Sequence, residues 1–120
     1  MAKDKLGMDV TLVPLPVRAG AGEQEYYEVW VADKGVGTLS FLAAGDTVAG
    51  IWVADEERHR GVGRAAMAEL FATHPMLEAV NGDSHPASHD FWEALGCEWQ
   101  DGRDDENCCL FELSRTALRA

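Results

Sequence analysis

The hydrophobic period of this chain changes once, at Val62, and that change constrains most of what it can fold into. Before it, apolar residues cluster in strand-sized runs joined by tight turns. Residues 25–33 are aromatic and β-branched, Lys34-Gly35 turns into residues 36–44, and Gly45-Asp46 turns again into residues 47–54. Short turns between such runs predict an antiparallel meander. Ahead of it, residues 8–17 alternate, with Val10, Leu12, Leu15 and Val17 apolar, and Pro14 and Pro16 mark an edge strand. Residues 18–24 form a short Gly/Ala connection. From Val62 onward, Val62, Ala66, Met67, Leu70 and Phe71 recur at helical spacing until Pro75 stops the helix.

Residues 77–80 then read as a brief apolar strand. Asn81-Gly82-Asp83 predicts a turn into a second helix, with Pro86 near its start, Gly96 just past its end, and Ala87, Phe91, Ala94 and Leu95 facing inward. Residues 97–100 and 108–114 form a final hairpin around the acidic loop 101–107. The order β, βββ, α, β, α, ββ implies one α+β domain over residues 1–120. Its layers are a mostly antiparallel central sheet and two main flanking helices. A length of 120 residues suits one such domain.

Composition narrows the function. Ten basic residues against 21 acidic ones leave a formal charge of −11. A phosphate backbone needs neutralising by Lys and Arg, so a general nucleic-acid binder is excluded. Cationic partners are favoured instead: amines, polyamines or basic protein tails. No apolar run approaches the ~20 residues of a membrane span, and the opening Met-Ala-Lys-Asp-Lys precedes no apolar stretch. A cytoplasmic chain with no membrane partner is the expectation. Cys97, Cys108 and Cys109 contain no CxxC pair and no His spaced around them, so no metal is expected, and they read as reduced thiols in or near the core.

The chemistry concentrates in residues 51–64. Arg58, His59, Arg60 and Arg64 fall within seven positions, whereas residues 19–57 hold one lysine and eight acids. An acidic chain that gathers its positive charge at a glycine turn entering a helix has the makings of an anion site. A helix N-terminus offers unpaired N–H groups and the positive end of the helix dipole. Gly61 and Gly63 allow backbone amides to approach a phosphate without a Cβ between them. The anion that fits is a pyrophosphate-like group. Residues 61–66 also match G-x-G-x-x-A formally. However, six polar residues separate Gly61 from the preceding strand, and the chain is too short for a dinucleotide fold. A Walker loop fails because no Lys-Ser/Thr follows.

Arg58-His-Arg-Gly61-Val-Gly63 resembles the Arg/Gln-x-x-Gly-x-Gly/Ala signature of the GNAT superfamily of N-acetyltransferases. About thirty residues on, Phe91-Trp-Glu-Ala-Leu-Gly96-Cys97 is similar to the family helix written Phe-Tyr-x-x-Leu-Gly-Phe. The resemblance covers about half the chain and implies a GNAT-like fold that uses acetyl-CoA as co-substrate. By the same resemblance, backbone groups of Ile51, Trp52 and Val53 would hold the pantetheine arm. His59, Arg60, Gly61, Val62, Gly63 and Arg64 would cradle the pyrophosphate, with Arg58 opening the signature. The implied reaction is transfer of an acetyl group to a primary amine, by direct attack in a ternary complex. The amine is a cationic small molecule or a protein amine.

Four departures bear on catalysis. Trp92 replaces the family Tyr that often protonates the departing thiolate, and an indole N–H has no accessible acid pKa. Trp92 is therefore expected to pack beside the thioester. His85 stands where the family often has Asn near the cofactor arm, and contact with the arm and plain surface exposure both remain open. The strand positions that often carry a base are Thr47 and Ala49, while Glu28, Asp46 and Asp55 are nearby acids. Residues 18–24 are too few for the two helices that usually roof the acceptor site. No catalytic residue is assigned, and an exposed acceptor face is compatible with a homodimer. The rival expectation is a catalytically inactive GNAT-fold protein that binds CoA or a protein partner.

Overall fold

A computed structural model of the chain describes residues 9–16, 24–58 and 60–119. The β-branched and aromatic runs form β1 (Val10–Pro14), β2 (Gln24–Val31), β3 (Lys34–Leu42) and β4 (Thr47–Val53). They pair antiparallel in sequence order, as the short turns predict. Helix α1 (Val62–Thr73) leads to β5 (Ala79–Ser84), α2 (His89–Ala94), β6 (Glu98–Trp99), β7 (Cys109–Ser114) and α3 (Arg115–Arg119). The seven strands make one sheet in the order β1-β2-β3-β4-β5-β7-β6. Among the described strands only the β4–β5 pair is parallel. The expected α+β architecture with a mostly antiparallel sheet is borne out, and β1 lies at an edge as its prolines require.

The helices share one face of the sheet. Val10, Leu12, Val29, Leu39, Phe41, Val48 and Val80 project to that face and are buried with Val62, Ala66, Met67, Leu70 and Phe71 of α1. These α1 residues are the stripe that the helical spacing marks. Trp92 of α2 stacks on Phe111 of β7 with ring centroids 4.2 Å apart. Helix α3 closes against α1, where an Arg64 Nη2–H donates to the Leu118 carbonyl at 3.1 Å. The opposite face has no helix over it among the described residues. Rows of cross-strand neighbours lie open there, such as Val13–Glu28–Thr38–Trp52, with Trp52 53% exposed.

Several expectations need correction. The β2–β3 turn is Ala32-Asp33, with Ala32 at φ 54°, and not Lys34-Gly35, which begins β3. Asn81-Gly82-Asp83 is no turn but the middle of β5. Gly82 is there because the Phe111 ring crosses it, 2.7 Å from where a Cβ would stand. The inward residues of α2 are His89, Trp92 and Leu95, with Phe91 half-buried, whereas Ala87 and Ala94 are exposed. Gly96 does follow that helix in the left-handed region, at φ 94°. Of the three free thiols Cys109 is buried and Cys97 half-buried, but Cys108 is exposed. Helix α3 was not anticipated. The connection over residues 18–23 and the expected strand ends Met8 and Val17 lie outside the described residues.

Candidate functional site: a diverging strand pair and a glycine loop

The start of β4 pairs with the middle of β5. Their register holds Thr47 beside Asn81 and Val48 beside Gly82, and nothing further pairs. The cause is visible on the other edge of β4. There, Ser40 faces Gly50 while Phe41 faces Val48, so Ala49 is an extra residue, a bulge that bends the strand. Residues 49–53 therefore diverge from β5 and leave a wedge between the strands. Its narrow end is stitched shut. The Thr47 hydroxyl donates to Asn81 Oδ1 at 2.7 Å, Asn81 Nδ2 donates to the Gly45 carbonyl at 2.8 Å, and the Asn81 N–H donates to the Asp46 carbonyl at 2.9 Å.

At the wide end β4 runs into a 3₁₀ turn (Asp55–Glu57) and then the N-terminus of α1. Gly61 adopts φ 87° to make the corner, which an L side chain resists. Among the described residues no side chain caps the helix, and the first amide engaged is Ala65 N–H, which donates to the Gly61 carbonyl at 3.0 Å. The N–H groups of Val62, Gly63 and Arg64 thus have no intrahelical acceptor. That donor set matches an anionic oxygen cluster chemically. Gly63 is glycine for a different reason from Gly61: a Cβ there would stand 2.5 Å from the Phe91 ring. The two sequence signatures are therefore in direct contact, α2 resting on the first turn of α1.

The arginines are less free than the sequence suggests. Arg58 Nε–H donates to the Val53 carbonyl at 2.8 Å, and its Nη1 pairs with Asp55 at 2.9 Å. Arg60 pairs with Glu57 at 2.7 Å and keeps 59% of its side chain exposed. Arg64 holds Leu118, as above. Arg58 thus braces the turn and engages the Val53 carbonyl, while the Trp52 carbonyl faces Gly37 of β3 and not the wedge. Ile51 and Val53 are half-buried on the helix-covered side, and Trp52 points to the open face. His59 lies outside the described residues.

Of the two helix-associated residues, Trp92 is 4% exposed, with Phe91 edge-on at 4.8 Å besides Phe111. It is a core residue first. His85 is exposed just after β5, its Nδ1 3.4 Å from the Cys108 sulfur. Burial and the nearby Glu93 push the Cys97 thiol up to about 11, so it stays protonated at neutral pH. Tyr27 is pushed up to about 12, by burial and by its hydrogen bond to Glu25, and is equally unfit as a base.

Sequence reasoning missed two networks that hold this end of the molecule. His89 is fully buried; its Nε2–H donates to the carbonyls of Asp104 and Asn107, each at 2.9 Å. In the neutral ring Nδ1 then accepts from the Ser84 hydroxyl at 2.8 Å. The loop between β6 and β7 is thereby tied to β5 and α2. Arg103 adds a second tie through Asp90, Glu93 and Asp105, which together hold its guanidinium well above its ordinary range. The sequence carried a signal for the latter: Arg103 is the one Lys or Arg in residues 65–114, set among acids. His89 gave none, since it sits five residues from Ser84 across a strand-to-helix corner.

A separate concave surface of about 430 Å³ lies at the C-terminal end of α1, lined in part by Phe41, His74, Met76 and Leu77. Twelve residues of helix, ~18 Å, separate it from the glycine loop. It is not the wedge. Among the described residues, no helix is long and apolar enough to cross a membrane.

No family model and no curated protein matches the chain. Solved structures do. An acetyltransferase from Thermus thermophilus aligns with a TM-score of 0.65 at 15% identity, covering 80% of this chain and 67% of that one. A GNAT family acetyltransferase from Elizabethkingia anophelis, solved with acetyl-CoA bound, gives 0.65 at 11% identity over 88% of this chain and 97% of its own. Mutant forms of the spermidine/spermine N-acetyltransferase of Vibrio cholerae give 0.61 at 12% identity over 84% and 70%. The seven-stranded sheet, its parallel pair diverging from a bulge, and the helix that joins that pair are the fold of the GNAT acetyltransferases.

Proposed function

We propose that the chain binds acetyl-CoA in the β4–β5 wedge and transfers the acetyl group to a primary amine. The observation that carries this is the diverging parallel pair with the uncapped N-terminus of α1 at its mouth, in a fold whose solved neighbours are acetyltransferases. Amides of Val62, Gly63 and Arg64 would receive the pyrophosphate, with exposed Arg60 as the mobile charge. The backbone of Ile51, whose N–H and C=O alternate with those of Trp52 away from β3, would align the pantetheine arm, and His85 lies on the β5 side of the mouth. Trp92 would act through packing. The amine nitrogen attacks the thioester carbonyl, the C–S bond breaks, and the ammonium proton leaves with the CoA thiolate. Position and a backbone N–H on the carbonyl oxygen supply the catalysis. The protonated Cys97 thiol favours this direct route over an acyl-enzyme on that residue. The charge of −11 favours a cationic acceptor.

A second reading has its own support: Thr47 and Ala49 offer no titratable side chain at the wedge, and Trp92 is sequestered in the core. On that basis the protein would bind CoA without turnover. The two separate in a thiol-release assay with acetyl-CoA and a panel of amines. Transfer predicts amine-dependent release, and Arg60→Glu raises the KM for acetyl-CoA about tenfold, ~1.4 kcal/mol of binding. Binding of acetyl-CoA with no release for any amine would remove the transferase reading.

A further inference from the structure

The helix-free face of the sheet has a consistent chemistry. Register places Val13, Glu28, Thr38 and Trp52 in one row, and Leu42, Thr47, Asn81, Glu112 and Glu98 in another, with Leu110 beside Asp83. Trp52 is 53% exposed, Leu110 50% and Leu42 38%, and Tyr26 and Trp30 are half-buried among them. Every charged side chain that the described strands present here is acidic: Glu28, Asp83, Glu98 and Glu112. Trp30 Nε1–H donates to Glu28 at 2.7 Å, which fixes one carboxylate beside an aromatic ring. Exposed apolar side chains interleaved with carboxylates fit a basic, partly apolar ligand, and aromatic faces beside carboxylates favour cations.

From this juxtaposition we infer that the helix-free face docks an extended polypeptide segment bearing lysine or arginine side chains. A second copy of the chain fits poorly, because a two-fold contact would set these acids against their own counterparts. A small amine fits poorly too. Glu28 on β2 and Glu112 on β7 are four strand spacings apart, at least about 19 Å, whereas an extended chain gains about 3.3 Å per residue and crosses that span in six. The consequence for acetyl transfer, that a docked segment offers a lysine amine to the wedge beside Trp52, rests on the function proposed above. The docking itself does not.

The test is a fluorescence titration of the full chain, without CoA, following Trp30 and Trp52. The probe is a capped dodecapeptide repeating Lys-Ala-Lys-Leu, with its Glu-for-Lys counterpart and spermidine as comparators. Saturable, salt-weakened binding of the basic peptide alone is expected. Glu28→Lys with Glu112→Lys should weaken it at least tenfold while acetyl-CoA binding and the thermal midpoint stay unchanged; Glu28→Gln, which keeps the acceptor for Trp30, should lose less. Absent binding, binding indifferent to the double variant, or spermidine competing equally would overturn the proposal. So would a dimer, seen by sedimentation, that the double variant dissolves. Peptide docking without acetyl transfer would leave the surface standing and remove the transferase reading; transfer to small amines without docking would do the reverse.

Discussion

Gly37→Ala is expected to lower the unfolding free energy by roughly 3 kcal/mol or more, the largest single-methyl effect in this molecule. An ideal Cβ at Gly37 stands 2.2 Å from the Trp52 carbonyl oxygen and 3.2 Å from both Trp52 C and Val53 Cα. All three are backbone atoms, held by the β3–β4 register at Gly37↔Val53 and Thr38↔Trp52, so no rotamer change relieves the overlap. The strands must part instead. Removing a glycine from a strand gains at most about 1 kcal/mol from the unfolded chain, too little to offset this. The displaced segment, Trp52-Val53, borders the wedge, so acetyl-CoA binding should fall with stability. Gly50→Ala is the matched control: the same strand pair, but nothing within 4 Å of its Cβ. Urea denaturation should show a much lower midpoint for the first variant and an unchanged or slightly higher one for the second. Equal midpoints would contradict the β3–β4 register.

His89→Ala is expected to cost about 3 kcal/mol. The substitution removes the donor shared by the Asp104 and Asn107 carbonyls, leaves the Ser84 hydroxyl only Ser88 and the His85 carbonyl, and opens a cavity beside Trp99, whose ring lies 5.1 Å from the imidazole. Part of the loss is limited because the loop can turn its carbonyls to water. That is why the local signature matters as much as the global one. Hydrogen exchange should speed up across residues 103–109 while α1 keeps its protection relative to the global opening. His89→Gln, which offers one amide donor, should recover a fraction. Unchanged exchange in the loop would mean that Arg103 alone secures it.

How legible each element was follows from how local its cause is. The α1 stripe and the meander are written in period and turn spacing; α1 formed where that signal lies, and the meander did so except for its first turn, which is Ala32-Asp33 and not Lys34-Gly35. β5 was misplaced because Asn81-Gly82-Asp83 has the composition of a turn; the residue that makes Gly82 necessary, Phe111, is 29 positions away. The inner face of α2 was misassigned for a similar reason. Its buried polar residue, His89, is stabilised by carbonyls fifteen and eighteen residues downstream, which no helical pattern reveals. In the candidate site, the glycine loop was visible as a motif, but its physics was only half visible. In the sequence both glycines read as room for a phosphate, whereas Gly61 serves backbone conformation and Gly63 serves contact with Phe91. The basic cluster looked like bare positive charge; Asp55 and Glu57 answer two of its arginines directly. That a face would lie open followed from the shortness of residues 18–24, but its rows of acids and aromatics were not legible, because they emerge from register across the strands.

The measurement that bears most directly on the central claim is an isothermal titration of the purified chain with acetyl-CoA, with CoA and NADH as comparators. All three carry a pyrophosphate, but only the first two carry a pantetheine arm for the wedge. Micromolar binding of acetyl-CoA and CoA without binding of NADH is the predicted result. Binding of none of them, or of NADH as tightly as CoA, would contradict the assignment of the β4–β5 wedge and its glycine loop to acetyl-CoA.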